Sequence, residues 1–256
     1  MGSRLASLAR NLQQRKGRSR RGLTLAEGVR LVEEAVVAGV AIRGVLIDES
    51  LGNTTRGRDL LRRLAARAVP IDRVPATTLA ELAATESPQG VVAVIEQPRS
   101  ELSKIIPIAR HPVVVLDGVQ DPGNVGTLLR TAFALGSPGA VLLKGTADPA
   151  NPKALRAAAG ASFRLPLAAA SDEQLAGWLK RNGIVLWVSG AAGTPVRRLA
   201  APDRLAVVLG NEGAGVRPAV AALSHDRVAI PLSRGAESLN VAVAAGIILH
   251  EVQREH

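Results

Sequence analysis

Short apolar runs alternate with stretches of helical periodicity along most of the chain, which is the pattern of an α/β protein. In the first hundred residues, four apolar runs predict strands at 23–26, 40–47, 71–74 and 90–96. Amphipathic spacing predicts helices before and between these strands, at 3–14, 27–38, 58–68 and 79–84. We therefore expect residues 1–97 to fold as a small α/β domain.

The second part of the chain has the same alternation with longer apolar runs. Strands are predicted at 112–117, 140–143, 184–189, 205–210 and 227–231. Helices are predicted at 123–135, 152–159 and 172–181, and a last one begins at Ser238. Because nearly continuous apolar strands separated by helices indicate a parallel sheet covered on both faces, we expect a second α/β domain at 112–256. Residues 98–111, which contain two prolines and mixed charges, are the predicted linker.

The last predicted helix begins with the sequence SLNVAVAAGIILHE, in which residues 241–249 are all uncharged and apolar. Such a helix is expected to lie deep inside the protein. It nevertheless begins with Ser238 and Asn240, whose polar side chains need hydrogen-bond partners when they are buried. Ser238 is a common type of N-cap residue, whereas Asn240 is a poor helix former inside a first turn. Asn240 is therefore a candidate functional residue.

Composition excludes several classes of function. The 256 residues contain no cysteine, which excludes disulfides, thiolate metal sites and cysteine catalysis. The four histidines have no metal-ligand spacing, so no metal site is predicted. Aromatic residues make up only 2%, which leaves almost no platform for stacking nucleic-acid bases. No apolar run reaches about 18 residues and no signal peptide is evident, so a cytoplasmic protein that does not use a membrane is expected.

The balance of charge favours a polyanionic partner. Lysine and arginine number 32 against 22 aspartates and glutamates, which gives a formal net charge of +10. The densest basic stretch follows the first predicted helix and comprises Arg15, Lys16, Arg18, Arg20 and Arg21. This stretch has two interpretations: a solvated, mobile loop, or an arm that contacts the phosphates of RNA.

Three loops follow predicted strand ends, where open α/β sheets bind their ligands. The first, LDGVQDPGNVGTLLRTAFALG, leads through Asn124 into a helix that contains Arg130. The second, VVLGNEGAGV, places Glu212 among three glycines, and the third, IPLSRGAESLNVAVAAG, leads into the apolar helix. Each has an ordinary structural explanation, with Asn124 as an N-cap, Arg130 on a helix surface and the glycines in turns. Because Arg130 has apolar neighbours in the sequence, we expect it to be partly buried and paired.

Taken together and in this order, the three loops resemble the three sequence motifs of the SpoU/TrmH family of the SPOUT superfamily. The resemblance rests on DPGNVGTLLRTAFALG, on LGNEGAG, and on IPL followed at a fixed distance by SLNVAVAAGIILHE, and it covers residues 112–253. Residues 1–95 are more loosely similar to the small α/β/α substrate-binding domain of that family. One position departs from the family pattern, because Arg234 stands where many relatives have glycine.

The resemblance implies an RNA ribose 2′-O-methyltransferase that uses S-adenosylmethionine. It further implies a C-terminal SPOUT-type α/β domain with a deep trefoil knot, and a homodimer. The implied substrate is structured RNA, with 23S ribosomal RNA favoured over transfer RNA because the N-terminal domain is separate. A non-catalytic, RNA-binding ribosome assembly factor is the remaining alternative.

The resemblance also assigns roles to individual residues. Those implied for catalysis are Asn124, Arg130, Glu212, Ser238 and Asn240. Those implied for binding the cofactor, through backbone groups and shape, are Leu209, Gly210, Ile230, Leu232 and Leu239. Arg130 has two implied roles, both of which stay open: proton acceptor for the 2′-hydroxyl, or anchor for the ribose and its phosphate.

Overall fold

The computed structural model describes residues 3–85, 88–233 and 236–254, and the chain divides into two units. Unit 1 comprises Met1–Pro98 together with Asp148–Phe163, and unit 2 comprises Arg99–Ala147 together with Arg164–His256. The chain therefore enters unit 2, returns to unit 1 for one segment, and ends in unit 2. Arg234, where the third motif departs from the family pattern, lies outside the described residues.

Ten strands and ten α-helices lie within the described residues. The strands are β1 (Leu23–Glu27), β2 (Ile42–Ile47), β3 (Ile71–Arg73), β4 (Val91–Glu96), β5 (Val113–Asp117), β6 (Ala140–Leu142), β7 (Leu167–Ala169), β8 (Val185–Pro195), β9 (Leu205–Gly210) and β10 (Asp226–Ala229). The helices are α1 (Arg4–Gln13), α2 (Arg15–Arg21), α3 (Val29–Val37), α4 (Thr55–Ala66), α5 (Ala76–Leu82), α6 (Pro122–Ala134), α7 (Pro152–Ala158), α8 (Asp172–Asn182), α9 (Pro218–Ala221) and α10 (Val241–Gln253). The sequence missed β7 and α9 and predicted α2 as a loop.

Unit 1 has a four-stranded sheet in the order β1-β4-β2-β3, with β2 and β3 parallel and the other pairs antiparallel. Successive side chains along a strand point to opposite faces, and both faces of this sheet are apolar. Val45 and Ile47 pack on the face covered by α3 and α4, whereas Leu46 packs on the face covered by α1 and α5. Helices therefore cover both faces of the sheet.

Unit 2 has an all-parallel, six-stranded sheet in the order β10-β8-β9-β5-β6-β7. The central strands β5 and β9 are buried along their whole length, which explains why their sequences are apolar except for Asp117 at the end of β5. Val113 and Val115 pack on the face covered by α8, and Val207 packs on the face covered by α10. The predicted parallel sheet is confirmed. None of the helices in the described ranges is both long and apolar enough to span a membrane.

The basic stretch after α1 is the helix α2 and not the loop that its charge suggested. Gly17 is needed there, because a Cβ on this residue would lie 2.0 Å from the carbonyl oxygen of Asn11. Four of the five basic residues of α2 are exposed and one is buried. The exposed ones are Arg15, Lys16, Arg20 and Arg21.

Arg18 is the inward residue, with only 2% of its surface exposed. Its Nε and Nη2 donate to Oδ2 of Asp148 at 2.9 and 2.8 Å, and its Nη1 donates to the carbonyl oxygens of Leu12 and Gln13. A buried guanidinium is tolerated only with such a set of partners. Arg18 is therefore a structural residue, which corrects its inclusion among the predicted RNA contacts.

The segment Asp148–Phe163 packs within unit 1, although the sequence placed its helix in the second domain. Thr24 on β1 donates to a carbonyl oxygen of this segment at 2.5 Å, and Arg156 pairs with Glu27 of β1 at 2.9 Å. Leu155 is fully buried in the core beside α3 and α4. Buried polar and apolar contacts with unit 1 thus hold a segment that joins two strands of the unit 2 sheet.

A fragment comprising residues 99–256 is expected to leave this segment unfolded. Without unit 1, Leu155 would lose a burial that contributes about 1.5–3 kcal/mol, and Arg156 would lose Glu27. Trypsin should then cut after Lys153 or Arg156 at least about tenfold faster than in the whole chain, as followed by mass spectrometry. Cleavage after the exposed Arg204 serves as the internal control. Equal rates in the two proteins would mean that unit 2 holds the segment by itself.

Helix α10 differs from the prediction in where it begins and in how deeply it lies. It begins at Val241 with Asn240 as its N-cap, so Ser238 lies outside the helix. Val243 and Ile247 are 51% and 36% exposed, so one face of the helix is not buried within unit 2. The expectation of a helix deep inside the protein is therefore met by one face of α10 in the single chain and not by the other.

Candidate active site

The carboxyl ends of β5 and β9 bring the first two candidate loops together. The two strands are parallel neighbours, and Asp117 at the end of β5 is in register with Gly210 at the end of β9. The loops that follow therefore start side by side, at the edge where parallel sheets bind ligands. Nδ2 of Asn211 donates to the carbonyl oxygen of Gly118 at 3.0 Å and joins the two loops directly.

A chain of side-chain hydrogen bonds connects all three candidate loops. Asn124 donates from Nδ2 to Oε1 of Glu212 at 2.8 Å, and Asn240 donates from Nδ2 to Oδ1 of Asn124 at 3.0 Å. Oδ1 of Asn240 accepts in turn from the backbone N–H groups of Ala242 and Val243, at 2.9 and 3.4 Å. Three of the five residues predicted for catalysis are thus in direct contact.

The two ends of this chain determine the orientation of both amide groups within it. A carboxylate only accepts hydrogen bonds, and the free N–H groups of a helix N-terminus only donate them. Asn124 must therefore present its NH2 group to Glu212, and Asn240 must present its oxygen to α10. The remaining oxygen of Asn124 and the remaining NH2 group of Asn240 then match each other. The apolar helix α10 begins with a polar residue because that residue both caps the helix and belongs to this chain.

Helix α6 supplies two of the predicted residues, Asn124 and Arg130. Its N-cap is Asp121, whose side chain accepts from the backbone N–H of Asn124 at 2.9 Å, so Asn124 lies in the first turn and is not the cap. Arg130 is exposed and has no hydrogen-bond partner in the described part of the chain. The expectation that it is partly buried and paired is wrong, because adjacent residues on a helix point about 100° apart. Its apolar sequence neighbours therefore occupy another face.

Glu212 also lines a pocket of about 420 Å³ in unit 2. All five residues predicted to bind a cofactor lie in its wall: Leu209, Gly210, Ile230, Leu232 and Leu239. Ser238 lines it as well, together with residues 189–191 of β8, which the sequence did not suggest. Arg130, Asn124 and Asn240 are not part of the lining, so Glu212 is the residue that joins the pocket to the hydrogen-bond chain.

The pocket wall is tightly packed at Gly210 and acidic. A Cβ on Gly210 would lie 2.3 Å from the carbonyl carbon of Gly215 and 2.4 Å from the nitrogen of Val216, so a larger residue would displace the backbone. Among the described lining residues, the charged side chains are Glu212 and Glu237, and none is basic. In a chain of net charge +10, such a wall favours a ligand that carries positive charge.

Three residues that fix these loops were missed by the sequence reasoning. Asn211 and Asp117 each had a signal, as a polar residue in a glycine-rich loop and as the charged end of an apolar strand. Arg217 had none, because its partners Asp117 and Asp172 are 100 and 45 residues away.

Over the ranges that the structure describes, no group of three or more acidic or histidine side chains is placed to hold a metal ion.

Two family models match the chain. Residues 111–250 match the model of the SpoU rRNA Methylase family, and residues 8–93 match the MRM3-like substrate binding domain. The chain belongs to the SpoU rRNA methylase family. The family predicted from the three loop motifs is thereby confirmed, and the second match agrees with the substrate-binding domain expected before them.

SpoU family members with named activities align with nearly the whole chain. This chain is 34% identical, over 245 residues, to the 23S rRNA (guanosine(2553)-2′-O)-methyltransferase RlmP of Bacillus subtilis. The alignment covers 95% of this chain and 94% of that protein. It is 31% identical, over 258 residues, to the 23S rRNA (uridine(2479)-2′-O)-methyltransferase of Streptomyces viridochromogenes. This second alignment covers 95% of this chain and 87% of that protein. The similarity therefore extends through both units.

Solved structures of SpoU family members share the fold. The AdoMet-bound rRNA methyltransferase from Sinorhizobium meliloti matches with a TM-score of 0.87 at 30% identity, over 98% of this chain and 94% of that one. The SpoU methyltransferase AviRb from Streptomyces viridochromogenes, in complex with AdoMet, matches with a TM-score of 0.87 at 30% identity, over 98% of each chain. The predicted SPOUT-type α/β domain behind a small N-terminal domain is confirmed.

Proposed function

We propose that this protein transfers a methyl group from S-adenosylmethionine to a ribose 2′-hydroxyl of 23S ribosomal RNA. The main support is the chain of hydrogen bonds from Glu212 through Asn124 to Asn240, at the edge of an acidic pocket. Arg130 adds an exposed cation on the helix that carries Asn124. The named relatives methylate ribose hydroxyls of 23S rRNA. A ribosomal substrate also agrees with the cytoplasmic location expected from the sequence.

The pocket suits S-adenosylmethionine in size, charge and lining. Its volume of about 420 Å³ lies within the range of about 300–1,000 Å³ that is common for small-molecule sites. Glu212 and Glu237 complement the positive sulfonium and ammonium groups of this cofactor. Gly210 allows close approach to the backbone, and the apolar residues around it would hold the adenine without aromatic rings. When bound, the cofactor supplies a methyl group that its sulfonium centre already activates.

The chain's own residues must orient and polarise the ribose hydroxyl. A hydroxyl is a weak nucleophile until its proton is removed or strongly hydrogen-bonded. Arg130 presents several donors in a planar fork that suits a 2′-oxygen and an adjacent phosphate, and arginine in general is a poor proton acceptor. We therefore assign Arg130 the role of anchor, with the proton passing to the phosphate or to water. Asn124 and Asn240 orient the nucleotide, and Ser238 completes the polar edge of the pocket.

A homodimer is part of the same proposal, with the exposed apolar side chains of α6 and α10 at its interface. Phe133 on α6 is 41% exposed, and Val243 and Ile247 on α10 are 51% and 36% exposed. Contact with a second copy would remove these groups from water.

We also propose the trefoil knot expected of SPOUT domains, in which the C-terminal segment threads a preceding loop. Gly210 packs closely against the backbone of Gly215, as expected of a loop with little free space around it.

The exposed basic residues of α2 are proposed to contact RNA phosphates. Replacing Lys16, Arg20 and Arg21 with alanine should weaken binding to all RNA sequences, because phosphate contacts carry no base information. The log–log dependence of affinity on salt should become less steep by about 0.7–0.9 per lost contact, measured by fluorescence anisotropy. Arg43→Ala is the matched control, since this exposed arginine is already paired with Glu96. An unchanged salt dependence in the triple variant would leave α2 with a structural role only.

Methyl transfer to purified RNA would test the proposed function. The protein would be incubated with radiolabelled S-adenosylmethionine and with either 23S rRNA or total tRNA, and labelled nucleotides would be located by nuclease digestion and mass spectrometry. We expect a labelled ribose in 23S rRNA; its base is left open, because the relatives act on guanosine and on uridine. Label in tRNA would support the transfer RNA alternative. RNA binding without transfer to either would support the assembly factor.

A further inference from the structure

The loop that carries Glu212 is held at its N-terminal end by Asn211. Besides its bond to Gly118, this side chain accepts at Oδ1 from the backbone N–H groups of Gly213 and Ala214, at 2.9 and 2.8 Å. Two backbone hydrogen bonds of 2.9 Å between Asn211 and Gly215 close the turn. Residues 212–214 are therefore a tight, exposed turn whose direction depends on the groups at its two ends.

Arg217 holds the C-terminal end of the same loop. Its backbone N–H donates to Oδ2 of Asp117 at 2.8 Å, and its Nε donates to Oδ1 of Asp117 at 2.6 Å. Its Nη1 and Nη2 donate to the two carboxylate oxygens of Asp172 at 3.0 and 2.7 Å. One guanidinium thus joins the loop to the end of β5 and to the first residue of α8. The hydrogen bond with Asp172 and, to a smaller extent, that with Asp117 raise the pKa of Arg217.

We propose that Arg217 is a positioning residue for the methyl-transfer site, which sets the place of Glu212 and, through Glu212, those of Asn124 and Asn240. In the part of the chain that is described, no hydrogen bond joins Arg217 to these three side chains. Its influence must therefore pass along the loop 211–217. The kinetic test of this inference rests on the proposed function. Its structural test depends only on the geometry of the loop.

Burial and shape explain why an arginine is needed at this place. Asp117 is fully buried, so its carboxylate requires a charged partner inside the protein. Arg217 can serve Asp117 with Nε while its two terminal nitrogens remain free for Asp172. A lysine has one ammonium group on a flexible stem and cannot reproduce this geometry toward two carboxylates. Arg217→Lys would therefore keep the charge beside Asp117 and release the fixed direction of the loop.

A double-mutant cycle between Arg217→Lys and Glu212→Ala separates positioning from general stability. Arg217→Lys alone should lower kcat for RNA methylation on the order of 10- to 100-fold, as expected when a reacting group is displaced by about 1 Å. In the Glu212→Ala background the same change should lower kcat by less than about threefold, because the acceptor for Asn124 is already absent. Arg204→Lys is the matched control in unit 2, since Arg204 donates only to the carbonyl oxygen of Asn182 among the described residues. Arg204→Lys should leave kcat unchanged both in the wild type and in the Glu212 variant.

Hydrogen exchange of the protein without cofactor or RNA gives a second readout. The amides of Gly213 and Ala214 should exchange faster in Arg217→Lys than in the wild type and in Arg204→Lys. If Arg217→Lys does not fold, Asp172→Asn, which leaves the bonds to Asp117 in place, takes its position in both experiments. Equal losses of kcat in the two backgrounds, or unchanged exchange, would overturn the positioning role. If the wild type methylates no RNA, the proposed function fails, and the exchange measurement still decides whether Arg217 holds the loop.

Discussion

Replacing Arg130 with alanine is expected to lower kcat for methyl transfer at least about 100-fold, the loss typical of removing one group that stabilises charge in a transition state. Binding of S-adenosylmethionine, titrated by calorimetry, should stay within about threefold of wild type, a change well under the 1.4 kcal/mol of a tenfold effect. The reason is that Arg130 does not line the pocket. Thermal unfolding should hardly change, since substitutions at exposed positions alter stability by at most about 0.5 kcal/mol.

Two further variants sharpen the test of Arg130. Arg130→Lys keeps the charge and loses the fork, so an activity between those of wild type and Arg130→Ala is expected for an anchor of ribose and phosphate. Arg181→Ala removes an exposed arginine from α8 in the same unit and should keep full activity. If Arg130→Ala retained activity within about tenfold, a loss of only ~1.4 kcal/mol, Arg130 would have no chemical role.

The elements of the fold were predictable wherever one strong local pattern, a periodic or a continuous apolar one, dominated the sequence. β5 and β9 are buried on both faces, and their apolar sequences show this directly. β7 and α9 were missed because their short sequences, LAA and PAVA, contain neither the β-branched residues of a typical core strand in the first case nor a helical alternation of polar and apolar positions in the second. Helix α2 was missed because a dense run of charge resembles a solvated loop. What turns Arg18 inward is Asp148, 130 residues away, and no local pattern contains that information.

The sequence named three side chains of the hydrogen-bond chain and five residues of the pocket wall, but it could not show their geometry. Both of the helices that supply the site offer two polar residues near their first turn, and the sequence alone favoured the wrong one as N-cap. At α6, Pro122 takes the first helical position, so the preceding Asp121 caps the helix and Asn124 lies inside. At α10 the helix begins only at Val241, so that Asn240, and not Ser238, is the cap.

Asn240 consequently has two roles that substitution can separate. Its oxygen caps α10, and its NH2 group holds the oxygen of Asn124. Asn240→Ala removes both and should cost about 1 kcal/mol of stability, the usual effect of losing an N-cap. A loss of activity in that variant would therefore have two explanations.

Asn240→Asp should abolish turnover and leave the helix intact. Aspartate caps helices about as well as asparagine, so thermal unfolding should match that of the wild type. At the site, however, a carboxylate oxygen would replace the donor that lies 3.0 Å from Oδ1 of Asn124. If the amide of Asn124 turned to donate to the new carboxylate, its oxygen would face Glu212 instead. One pair of acceptors stays unmatched in either arrangement, so kcat is expected to fall at least about 100-fold. A stable variant with kcat within about tenfold of wild type would show that the ribose is oriented without this chain of hydrogen bonds.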